Sequence, residues 1–110
     1  MRLPNGNRAI ITGEKLLGFV LNPDHPHGFG HAHLFDVLLG INRVNVGELR
    51  QHLLLAAEQG DATPGKPSDF GTKYEIRSEM TGPRGTHIIL SVWMIRTGEN
   101  DPRLVTAYVE

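Results

Sequence analysis

The sequence predicts an α+β domain: N-terminal helices packed on one face of a C-terminal antiparallel β-sheet. Three observations carry that expectation. Apolar residues recur at helical spacing from Thr12 to Gly60. From Thr72 to the end they alternate or run continuously, as strands do, and the runs are separated by short turns rich in Gly and Pro. A length of 110 residues fits one hydrophobic core, so a single domain over 1–110 is expected, helical over about 12–60 and sheet over about 72–110.

The elements follow in order. Asn5-Gly6 makes a turn before an extended piece, Arg8 to Ile11. Thr12 supplies the N-cap of a first helix over roughly 13–21, stopped by Asn22-Pro23, with Leu16, Leu17, Val20 and Leu21 on its apolar side. A loop over 22–30 holds two prolines and two glycines. The second helix begins near Gly30 or His31 and ends at Gly40, burying Leu34, Phe35, Leu38 and Leu39. Asn45 with Glu48 three residues later reads as a capping box for the third helix, which buries Leu49, Leu53, Ala56 and Ala57 and ends at Gly60. Residues 61–71 read as a loop. Strands are expected over 72–80, 86–97 and 103–109, joined by turns at 81–85 and 98–102.

Alternation also assigns the sheet faces. If the helices cover Tyr74 and Ile76, the matching partners are Ile88, Leu90, Val92, Met94, Val105, Ala107 and Val109. The open face then carries His87, Ser91, Trp93, Thr106 and Tyr108 beside the charged row Lys73, Glu75, Arg77 and Glu79. Such a face, with hydrogen-bonding groups around one large aromatic, suits a ligand. The alternative is an ordinary solvated sheet face. A slip of one residue would invert every assignment.

Composition excludes several classes. Apolar residues make up 39% and charged residues 21%, a globular balance, and the formal net charge of −1 excludes binding through a broadly basic surface. Without cysteine there is no disulfide, thiolate nucleophile or Cys-based zinc site. No apolar run approaches the ~20 residues of a membrane span and no signal peptide is visible, so a cytoplasmic protein is expected.

The segment HPHGFGHAH, residues 25–33, gathers four of the six histidines. Three readings compete. His27 and His31 have the spacing of a zinc-ligating helical pair, but Pro26, Gly28 and Gly30 oppose a helix through residue 27, and no metal or cofactor is assigned. Histidines in a loop can also simply bond backbone carbonyls. In the third reading, His25 and His31 exchange protons near neutral pH. The helix start offers backbone N–H groups to a phosphate, which Gly28 and Gly30 allow to come close.

The stretches "LNPDHPHG", "HAHLFDVLLGI", "TGPRG", "SVWMI" and "PRLVTAYVE" resemble an uncharacterised bacterial domain family found as small stand-alone proteins or as C-terminal tips of larger toxin-like proteins. Nearly the whole chain is covered. The layout is more distantly similar to the barnase–EndoU–colicin–RelE group of ribonuclease toxins. That resemblance implies a toxin of a toxin–antitoxin system acting as a metal-independent endoribonuclease. By the same resemblance His25 and His31 are the acid–base candidates, and Arg103 and Thr106 hold the scissile phosphate. Trp93, Tyr108, Ser91 and His27 then contact substrate.

The implied partners are RNA (tRNA or ribosome-associated mRNA), a cognate antitoxin protein and, as a further option, a second copy of the chain. One departure from the family pattern and one point of strand geometry stand out. His31 occupies a position where the family pattern leads one to expect lysine. Arg103 has the opposite strand parity from Thr106, so a bulge or the strand end must bring them together. The alternative function is a non-catalytic protein-binding module that docks a partner on the open sheet face.

Overall fold

A computed structural model describes residues 1–22, 24 and 29–110. The α+β architecture matches the expectation: the helices occupy the N-terminal half and are followed by an antiparallel sheet. Helix α1 starts as Gly13–Lys15, capped by the Thr12 hydroxyl, which accepts from the Lys15 N–H, and widens into a π-turn over Leu16–Val20. Helix α2 runs Phe29–Leu34 and widens in the same way over Phe35–Leu39. It stops at Gly40, whose φ of 73° is left-handed backbone that glycine adopts without strain. Helix α3 spans Val46–Gln59.

The entry to α3 differs from the expectation. Asn45 makes no side-chain cap on α3. The capping box lies one turn earlier, where the Asn42 side chain accepts from the Val44 N–H and Asn45 Oδ1 accepts from the Asn42 N–H. Asn45 is held there because its amide also donates to the Gly40 carbonyl, tying the helix entry to the end of α2.

Four strands form one sheet in the order β1-β2-β3-β4. These are β1 Ala62–Pro64, β2 Gly71–Gly82, β3 Gly85–Arg96 and β4 Arg103–Val109. The short β1 falls where a loop was expected, since three residues containing a proline show no readable alternation. Ile10 adds one parallel bridge beside Arg103, its N–H bonding the Pro102 carbonyl and its own carbonyl accepting from Leu104.

The face assignment of β3 is corrected. Ser91 and Trp93 lie on the helix-covered side and are fully buried, whereas the sequence reading put them on the open face. The cause is the β2–β3 turn. Its two residues, Pro83 and Arg84, pair Gly82 with Gly85, so even-numbered positions of β2 share a face with odd-numbered positions of β3. Ile76 therefore meets Ser91, Tyr74 meets Trp93, and Met80 meets His87, which also leaves the open face. Because β3 is apolar on both sides, its own period could not reveal this. The buried serine is satisfied: Trp93 Nε1 donates to Ser91 Oγ at 3.0 Å, and Ser91 donates to the Ile76 carbonyl at 3.3 Å.

The core joins Phe35, Leu39 and Ile41 with Leu49 and Leu53 of α3 and with Ile76, Ile89 and Trp93 of the sheet. Among the described residues no helix is long and apolar enough to cross a membrane.

Candidate functional site on the open sheet face

The side of the sheet away from this core is built by cross-strand rows. Arg103, Met94 and Lys73 form one row, Thr106, Val92 and Glu75 the next, and Tyr108, Leu90 and Arg77 the third. Leu90 is buried although it stands outside the main apolar cluster, beneath this face.

A β-bulge assembles the row ends. Val92 pairs with Thr106 but Trp93 pairs with Leu104, so Val105 is the extra residue. Val92 and Met94 share a face, and their partners Thr106 and Arg103 therefore do too. Leu104 and Ala107 meanwhile stay in the core. Arg103, Thr106 and Tyr108 thus come together on the open face despite their mixed parity in the sequence.

Helix α2 runs beside β4, and its His31 ring stacks on Tyr108 with centroids 4.9 Å apart and planes at 26°. Thr106 and Tyr108 are two positions apart on one strand face, a separation of about 7 Å. Two polar atoms here, His31 Nδ1 and Thr106 Oγ1, are shielded from solvent and have no hydrogen-bond partner among the described residues. Unpaired buried polar atoms cost stability and call for an explanation, such as a ligand that completes them.

Arg103 stands at the start of β4, where its Nε donates to Glu99 at 3.2 Å. With Arg8, Ile10, Asn100 and Asp101 they line a cleft of about 390 Å³, and Arg8 pairs with Asp101 at 2.9 Å. Arg77 donates through Nε to both oxygens of Glu110, each at 2.9 Å, and this carboxylate raises the guanidinium's pKa above its ordinary value. The sequence reading noted Arg77 only as part of a charged row. The signal that relates it to the site is register, since Leu90 lies between Arg77 and Tyr108.

Of the other expected site residues, Ser91 and Trp93 are core residues, while His25 and His27 lie outside the described residues. Among the described residues no group of three or more His, Asp or Glu side chains is arranged to hold a metal ion.

A second histidine site escaped the sequence reading. His52 of α3 hydrogen-bonds through Nε2 to Ser78 Oγ of β2 at 2.8 Å, and burial lowers its pKa. Its only sequence signal is a histidine on the border of an apolar helix stripe.

Comparison with known proteins gives a fold and a family. A chain of a contact-dependent growth inhibition toxin–immunity protein complex from Klebsiella pneumoniae 342 has the same fold, with a TM-score of 0.71 at 15% identity. The likeness covers 92% of this chain and 99% of that one. No curated protein matches the sequence. The family pattern extends over residues 2–110, so the chain belongs to the family described as a domain of unknown function, DUF6883.

Proposed function

We propose that this domain is the toxin component of a bacterial toxin–immunity system and a metal-independent endoribonuclease. The observation that carries the reading is the convergence of His31, Thr106, Tyr108 and Arg103 at one edge of the open face, with His31 Nδ1 and Thr106 Oγ1 unpaired among the described residues. These groups are the kinds that transesterification of RNA requires. A base takes the proton of the ribose 2′-OH, the 2′-oxygen attacks phosphorus, and the P–O5′ bond breaks as an acid protonates the leaving oxygen. The product is a 2′,3′-cyclic phosphate.

In this reading His31 exchanges the proton, held in orientation by its stack on Tyr108. The Thr106 hydroxyl donates to a phosphate oxygen, and Arg103 offsets the charge that develops on phosphorus. His25 is the proposed second acid–base group. Occurrence of the fold in a chain of a toxin–immunity complex supports a place in such a system and makes a cognate protein the expected partner.

The test is growth after induced expression. The wild type should arrest cells and leave RNA ends bearing cyclic phosphate. His31→Ala, and His25→Ala with His31→Ala, should lose both effects while keeping the wild-type circular dichroism spectrum. Equal arrest by wild type and folded variants would remove the histidines from the chemistry and favour a protein-binding module.

A further inference from the structure

We propose that Arg77 is the cationic arm of a second phosphodiester subsite on the open face, one nucleotide position away from the reacting phosphate, and that Glu110 holds it ready. The inference rests on the ribonuclease reading and extends it to substrate binding along the strand.

Three features of the geometry lead there. Arg77 shares the open face with Thr106 and Tyr108, and Leu90 alone separates it from Tyr108 in the cross-strand row. The two neighbouring strands put the Arg77 and Tyr108 Cα atoms about 10 Å apart, within reach of an arginine side chain that bends across.

The second feature is how the guanidinium is engaged. Both Glu110 contacts are made to Nε. Nη1 lies 3.8 Å from Glu75, and among the described residues neither terminal nitrogen makes a hydrogen bond. The Nη1/Nη2 fork, which grips phosphate oxygens in bidentate fashion, is therefore oriented by Glu110 without being occupied by it.

The third is the floor. Val92 and Met94, half-buried beside the buried Leu90, form an apolar strip between Arg77 and Arg103, on which a base can lie while its phosphates reach the cations at either side. A net charge of −1 gives no general field, so such paired local cations must hold the backbone.

The probe is a single-stranded oligodeoxynucleotide, which lacks the attacking 2′-hydroxyl, so binding is read without cleavage. Its affinity is measured over a salt series for wild type, Arg77→Gln, Arg77→Lys and Glu110→Gln. Arg77→Gln should bind roughly fivefold more weakly, and its slope of log affinity against log salt should be shallower by about 0.7, the loss of one single-strand phosphate contact. Arg77→Lys should keep the slope but lose part of the affinity, because an ammonium lacks the fork. Glu110→Gln should bind more tightly than wild type, since the glutamine Oε1 still accepts from Arg77 Nε while the negative charge beside the phosphate is gone.

Wild-type affinity and slope in Arg77→Gln, with RNA cleavage intact in the wild type, would overturn this subsite alone. Equal weakening by Arg77→Gln and Glu110→Gln would do so too, marking the pair as merely structural. A wild type that neither binds the probe nor cleaves RNA would overturn the ribonuclease reading and the subsite with it. Should Arg77→Gln lose its fold, Glu110→Gln decides: tighter binding supports the subsite, and unchanged or weaker binding overturns it.

Discussion

Under the proposed ribonuclease reading, Thr106 concentrates the conflict between stability and function at a single atom. Its hydroxyl is shielded and unpaired among the described residues, at a cost of about 1–3 kcal/mol. Valine has nearly the same shape and no hydroxyl to leave unsatisfied. Thr106→Val should therefore be neutral or stabilising, by up to about 1 kcal/mol in chemical denaturation, while RNA cleavage falls at least tenfold. A variant that loses stability and keeps activity would show that the hydroxyl serves the fold. Ser91 makes the opposite case. Its hydroxyl is equally buried but bonded on both sides, to Trp93 and to the Ile76 carbonyl, and so carries no free valence for chemistry. Residue type and spacing could nominate both hydroxyls from the sequence. Only the register distinguishes them.

At the scale of elements, the bulge at Val105 is what makes β4 serve two masters. It lets Leu104, Ala107 and Val109 point into the core while Arg103, Thr106 and Tyr108 point out. Deleting Val105 removes only the extra residue, so Arg103, Leu104 and Thr106 keep Met94, Trp93 and Val92 as partners and stay on the faces they now occupy. The deletion variant should therefore lose less than the about 1.5–3 kcal/mol that exposing Leu104 would cost, read from its denaturation midpoint.

Legibility follows the same line. Helix spans, the α+β order and the three long strands were readable because each has a one-sided period or an explicit turn. The facing of β3 was not, because its continuous apolar run fits either side and the Pro83-Arg84 turn alone fixes the pairing. The mixed parity of Arg103 and Thr106 did signal that a bulge was needed, though not its position.

At the scale of the whole molecule, two layers are joined mainly by apolar contact, and a side-chain clip adds to it between α3 and β2. His52 of α3 bonds Ser78 of β2, and partial burial lowers the imidazole pKa below its ordinary value of 6.5. Folding therefore favours the neutral ring. Above pH 6.5 the ring is neutral in both folded and unfolded chains and imposes no penalty. As pH falls through that value the unfolded chain binds the proton first, so stability declines until the folded ring is protonated as well. The melting temperature of the wild type should drop on going from pH 7 to pH 5 more than that of His52→Gln, measured in matched buffers. Parallel curves would show that the clip does not couple to protons.

The bridge between Ile10 and Arg103 has a kinetic side. The β2–β3 hairpin closes over two residues and can form early, and β4 then adds by another short turn. Ile10, by contrast, reaches Arg103 across nearly the full chain, a contact whose loop closure is repaid only when the helices have docked. The strand that carries Arg103, Thr106 and Tyr108 is thus anchored at its start by one of the most distant contacts in the sequence. Partly folded chains should accumulate sheet structure before they acquire a working site, so the appearance of activity during refolding should lag behind the appearance of β-structure.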